Sequence, residues 1–242
     1  MQIPFTCYTC CYKEKIPYFI FPVEINSSGI YDVECPNGHE VKAVVENPLY
    51  ELLFDSGLYS LTQKFYLEST LGFCSSVERM YEYSIRVFLQ HSRVDNEEVE
   101  YTWRNLKNSS ERQYGAFQLL YLQSLKKTPP SINTKWISFR NDCIHKGNFP
   151  DRISSFEYGE LIFNHIKETI SSIRNHLGVD LTQTDLGKTI ERKNFLEKYK
   201  HTSQIFLPTS LTPNTEEYDV ISFDSSLNSM ESHLKHLYRG YE

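Results

Sequence analysis

The spacing of apolar positions changes once along this chain, near residue 48. Before that point short apolar runs are separated by turn residues. Ile16-Pro17-Tyr18-Phe19-Ile20-Phe21-Pro22-Val23 and Gly29-Ile30-Tyr31-Asp32-Val33 predict two short strands, and Glu40-Val41-Lys42-Ala43-Val44 predicts a third. Beyond it the apolar residues recur every three or four positions. Leu67, Leu71, Val77, Met80, Tyr81, Ser84, Val87 and Phe88 predict a long helix through Gln90. The polar stretch from Arg93 to Glu111 predicts a loop. Tyr114, Phe117, Leu120, Tyr121 and Leu125 predict a second helix, stopped by Thr128-Pro129-Pro130.

A third helix is expected from Ser131 or Asn133 to Lys146, with Trp136, Ile137, Phe139, Cys143 and Ile144 apolar and Gly147 just past its end. A fourth opens with a capping box at Ser154-x-x-Glu157, carries Leu161, Ile162, Ile166, Ile170, Ile173 and Leu177, and stops at Gly178. Helices with short links and one apolar stripe each predict a bundle. The chain therefore reads as mainly α, with a small β module at residues 1–47, a helical bundle at 48–180 and a C-terminal extension at 181–242. In that extension, 186–200 suggests a charged helix, 201–225 is irregular or forms a strand around Ile205-Phe206-Leu207, and 226–238 suits a short helix.

Composition adds limits. A length of 242 residues allows one good-sized domain plus a smaller module. With 17 Tyr and 15 Phe the chain is too aromatic for a disordered one. No apolar run is long enough to span a bilayer, and Met1-Gln2-Ile3-Pro4-Phe5-Thr6-Cys7 lacks the basic and apolar regions of a signal peptide. A cytoplasmic protein with no membrane partner is the expectation. Net charge is −6 and uneven: residues 1–60 hold three lysines against eight acids. Residues 126–152 hold Lys126, Lys127, Lys135, Arg140, Lys146 and Arg152 against only Asp142 and Asp151, so a polyanion would be drawn to mid-chain.

Four of the six cysteines fall within the first 35 residues. Cys7-Tyr8-Thr9-Cys10 is a C-x2-C pair, and Cys35-Pro36-Asn37-Gly38-His39 is a C-x3-H pair with the Pro and Gly of a tight turn. Each pair can present two ligands to a tetrahedral ion, with Cys11 an alternative to Cys10 by a one-residue slip. Reduced thiols with no ion are the plain alternative. Zn2+ is favoured because roughly forty residues rarely fold without a staple. Two knuckles joined by short strands resemble a zinc ribbon. Four ligands leave no open position for water, which makes the expected zinc structural. The acidity of the module suggests docking or dimerisation and argues against nucleic-acid binding.

The third predicted helix contains Arg140-Asn141-Asp142-Cys143-Ile144-His145-Lys146-Gly147. This resembles the signature of the HEPN ribonucleases: an Arg, a polar residue, and a His after a short interval, near the end of a bundle helix. The resemblance covers roughly residues 60–180. It implies a metal-independent endoribonuclease acting as a homodimer, in which two motifs face one cleft and RNA supplies its own 2′-hydroxyl nucleophile. His145 would be the acid–base group and Arg140 the phosphate ligand, with Asn141 in the polar slot. Glu78 sits where family members often carry an acid, although any exposed helix glutamate would look the same.

The residue types suit that chemistry. His145 changes charge near neutral pH, and Arg140 can bind phosphate in bidentate fashion. Asn141 and His145 share a helix face, whereas Arg140 lies about 140° from His145 on an ideal helix. The plain alternative is structural, with Arg140 pairing across helices and His145 capping a helix end. Asp142 can help orient the site or pair with Lys146. His91, His165, His176, His201, His233 and His236 read as core or surface residues, and Cys74 and Cys143 as buried thiols. Such small HEPN proteins are usually toxins or anti-phage effectors, which implies an antitoxin or regulatory partner. The rival expectation is a non-catalytic zinc-ribbon adaptor that binds protein or nucleic acid, and a ribbon-containing transcription accessory factor is a third.

Overall fold

In the computed structural model, residues 2–16, 19–178, 187–199, 202–211 and 221–239 are described. Pro17 and Tyr18 of the first expected strand, His201, and residues 179–186 and 212–220 of the C-terminal region lie outside them, as do the side chains of His233 and His236. The chain is mainly α and divides into two units. One comprises Met1–Asn47 with Lys188–Leu207, the other Pro48–Gly187 with Pro208–Glu242.

In the first unit, β1 (Gln2–Thr6) alternates exposed and buried residues and pairs antiparallel with β2 (Ile20–Glu24). Its inward residues Ile3 and Phe5 meet Phe21, and Phe5 packs edge-on to Tyr31 at 4.8 Å. A second sheet begins with the antiparallel pair β3 (Ile30–Glu34) and β4 (Glu40–Val45). Its third strand, β5 (Ser203–Ile205), runs parallel to β4. Asn47 fastens this return by exchanging hydrogen bonds with Leu207 at 2.7 and 2.9 Å. Arg192, on α7 (Ile190–Lys198), reaches the carbonyl of Ser28 at 2.6 Å.

The second unit is built on α2 (Tyr66–His91), which packs against α1 (Leu49–Thr62), α4 (Ser110–Leu125), α5 (Thr134–Lys146) and α6 (Arg152–Leu177). Gly57 on α1 and Gly72 on α2 let the two helices almost touch: a Cβ at Gly72 would lie 2.8 Å from the Gly57 Cα. Rings of Phe54, Phe73, Phe163 and Phe223 fill the centre, the last from α8 (Phe223–Arg239). Tyr81, Phe117, Tyr121 and Phe88 extend this core along α2.

Three expectations change. The polar stretch 93–111 is not a loop: α3 (Asn96–Leu106) occupies its middle, capped by Asp95 and anchored by Val99 and Trp103, with Leu106 partly buried against the core. Arg86, on α2, binds Glu100 at 2.6 Å and lies over the Trp103 ring, adding an ion pair to the short apolar face of α3. The fourth expected helix starts at Arg152, where the Asp151 carboxylate accepts from the Ser154 N–H, and not at Ser154. The expected long helix is preceded by a separate one, because Lys64 turns the chain at φ +66° between α1 and α2. No helix among the described residues is long and apolar enough to cross a membrane.

Candidate functional site

The first unit gathers Cys7, Cys10, Cys35 and His39. Cys7 follows β1, Cys10 sits in a single π turn at Thr9–Lys13, and Cys35 and His39 bracket the turn between β3 and β4. That turn is closed by Cys35 N–H to the His39 carbonyl at 2.9 Å and Gly38 N–H to the Cys35 carbonyl at 2.8 Å. The four ligand atoms lie within 4.8 Å of one another. His39 Nδ1 is 3.8, 3.3 and 3.6 Å from the sulfurs of Cys7, Cys10 and Cys35, and the Cys10 and Cys35 sulfurs are 3.8 Å apart. Tetrahedral zinc spaces two sulfurs about 3.8 Å apart and a sulfur and nitrogen about 3.6 Å apart.

These four residues can hold a metal ion, and their spacing is compatible with zinc. Cys11 is not among them; its thiol turns towards the Phe19 carbonyl. Burial raises the Cys10 thiol to about 12, reinforced by Cys7 and Cys35 against the Asn37 amide. At Cys35 burial also opposes ionisation, but backbone N–H groups of His39 and Asn37 outweigh it and bring the thiol down to about 7. A metal ion takes its ligands as thiolates, so loading this centre would release protons.

The second unit holds the other candidates. Arg140, on α5, reaches across to α2, where it pairs with the Glu78 carboxylate and donates from Nε to Cys74 Sγ at 3.0 Å. Its Nη1 donates to Asn141 Oδ1 at 3.0 Å. Burial opposes the guanidinium charge, but Cys74 and Glu78 more than offset that and hold it above its ordinary value. Arg140, Asn141 and Glu78 therefore form one cluster. Cys74 joins it from the core, a role its burial among apolar residues concealed in the sequence.

His145 stands apart. It is exposed in the last turn of α5, with no hydrogen bond to Arg140 or to any other described residue. The helix stays regular to Lys146, so the angular separation of the two residues persists within one chain. Gly147 ends it in the left-handed conformation, φ +67°, with its N–H on the Asp142 carbonyl. Asp142 pairs with Lys146 at 2.7 Å. Beside the Arg140–Glu78 pair opens a cavity of about 240 Å³ walled by Tyr81, Tyr114, Trp136 and Tyr158. Nothing in the linear pattern signals it, because its wall draws on α2, α4, α5 and α6.

His165 is buried in the bundle and hydrogen-bonds the Tyr81 hydroxyl at 2.9 Å. Burial drives its pKa down to about 4, so it sits there as neutral imidazole. Compared with known proteins, the chain matches no protein-family model, no curated protein and no solved structure.

Proposed function

We propose that this chain is a HEPN-type, metal-independent endoribonuclease that acts as a homodimer, its Cys7–Cys10–Cys35–His39 centre carrying structural zinc. The observation that carries the reading is Arg140, fixed by Cys74, Asn141 and Glu78 and set on the same helix as a solvent-facing His145. An arginine uses five N–H donors, and these three contacts leave two for a phosphate. In the reaction the RNA 2′-hydroxyl attacks the adjacent phosphorus and the bond to the 5′-oxygen breaks. The products are a 2′,3′-cyclic phosphate (opened by water to a 3′-phosphate) and a 5′-hydroxyl. His145 moves the proton between these oxygens, and Arg140 stabilises the charge on the phosphoryl group.

Within one chain Arg140 and His145 do not meet, so the site is completed by a second copy. Phe149 is 84 % exposed and Ile153 69 %, two large apolar side chains following His145 that suit burial against a partner. Such an enzyme fits a cytoplasmic toxin or anti-phage effector held by an antitoxin or regulator. The second reading, a non-catalytic adaptor, is favoured by the same separation of Arg140 from His145 and by the net charge of −6.

The two readings part on one experiment. Purified protein is incubated with an RNA panel under brief chelation, beside a His145→Ala variant, whose exposed position makes misfolding a poor excuse. Cleavage to cyclic-phosphate ends, reduced about 100-fold or more in the variant, supports the enzyme. Silence of both proteins, repeated with zinc supplied, favours the adaptor.

A further inference from the structure

The cavity beside Arg140 has the size and chemistry of a base-recognition site. Its volume, about 240 Å³, is below the roughly 300–1,000 Å³ of pockets for drug-sized ligands and suits one planar heterocycle. Tyr114 from α4 is half-buried at the wall, 5.1 Å from the Tyr81 ring, and Trp136 from α5 lies 5.8 Å from Tyr158. Such aromatic walls are what single-stranded nucleic acids stack on, because every base has a π-face. Lys135 sits over the Trp136 ring at 4.6 Å and adds positive charge nearby.

The polar end of this cavity carries the information. Glu78 pairs with Arg140 through Oε1, while its Oε2 has no partner among the described residues. An apolar occupant would bury that oxygen without a hydrogen bond, which is unfavourable. A base that donates satisfies it. Guanine offers two adjacent donors, N1–H and the 2-amino group; a carboxylate has about four lone-pair sites, so one donor meets Oε2 and the other the lone pair of Oε1 that Arg140 leaves open. Adenine sets a lone pair beside its amino group, cytosine does the same, and uracil flanks its one N–H with two carbonyl oxygens; each turns a lone pair on the anion.

We propose that this cavity is a guanine subsite of the RNA-binding surface, with the base between Tyr114 and Trp136 and its N1–H/2-amino edge on Glu78. The inference rests on the ribonuclease reading and gives it a substrate class: RNA cut beside guanine. Arg140 then serves both partners, holding Glu78 through one N–H and the neighbouring phosphate through those left over.

The test separates binding from cleavage. The full-length protein is titrated calorimetrically with guanosine, adenosine, cytidine and uridine monophosphates, as 3′ and 5′ isomers, and with inorganic phosphate. Guanosine monophosphate should bind at least tenfold more tightly than the other nucleotides. Glu78→Gln, nearly isosteric, should abolish the preference, and Tyr114→Ala should weaken all nucleotides while leaving phosphate binding alone. Equal affinities, or no nucleotide binding by the wild type, overturn the subsite. RNA cut without regard to guanine, together with equal affinities, sinks the subsite and leaves the ribonuclease standing. Guanine-selective binding with no RNA cut, even with zinc supplied, leaves the subsite and removes the ribonuclease.

Discussion

His39 turns its two ring nitrogens to different neighbours. Nδ1 lies among the three cysteine sulfurs, while Nε2 lies 3.2 Å from Glu14 Oε1. If Nδ1 ligates the ion, Nε2 must carry the ring proton and donate it to that carboxylate, which fixes both tautomer and ring angle. Asn37 supports the opposite corner by donating to Cys10 Sγ at 3.4 Å. Glu14→Gln keeps the shape and removes the charge, and outer partners of this kind are worth roughly 10- to 100-fold in metal affinity. Glu14 is 43 % exposed, so the low end applies, about tenfold weaker zinc binding, measured by competition with a chromophoric chelator. Unchanged affinity would deny Glu14 any part in the centre.

At the next scale, α5 is the element on which the proposed chemistry depends. Asn133 caps its start through the Trp136 N–H, and Gly147 closes its end within two residues of His145. No atom lies within 4 Å of a Cβ at Gly147, so Gly147→Ala meets only the backbone penalty of the left-handed conformation, about 1 kcal/mol. The expected result is a melting temperature lower by about 2–4 °C, together with reduced cleavage as the last turn loosens. A variant as stable as the wild type would show that the end of α5 is held by something other than this cap. Both ends of α5 could be read in the sequence because an Asn cap and a terminal Gly are local signals. The Cys and His pairs were equally legible, since each lies within one short turn. Other features depend on distant partners: the strand offered around Ile205-Phe206-Leu207 takes its bounds and direction, as β5, from pairing with β4 far earlier in the chain, and α3 packs through Val99, Trp103 and an ion pair to Arg86 on another helix. The cavity was invisible for the same reason, with Tyr114, Trp136 and Glu78 arriving from three elements.

For the molecule as a whole, two buried groups of opposite sign contribute to the response to acid. Asp55, on α1, accepts a hydrogen bond from the Ser210 N–H at 3.1 Å, yet burial outweighs this and raises its carboxyl to about 6. The folded state therefore favours the protonated acid. Its contribution is full below the unfolded value of 3.8 and is lost as pH rises through 6. His165 runs the other way. Burial lowers it to about 4, so its contribution is full above 6.5 and is lost as pH falls through 4. Between pH 7.5 and 5 the histidine contribution falls by about 2 kcal/mol while the aspartate contribution gains about 1.4 kcal/mol, so the two together nearly cancel. Removing either group should tilt that balance. His165→Gln, which can still meet the Tyr81 hydroxyl, should gain about 1.4 kcal/mol on going from pH 7.5 to 5, and Asp55→Asn should lose about 2 kcal/mol over the same interval. Urea denaturation of the three proteins at both pH values measures these slopes. Parallel profiles for all three would mean that neither buried group titrates differently in the folded and unfolded chain. Opposite tilts would place the acid sensitivity of the helical unit in its core, away from the exposed His145 on which the proposed reaction depends.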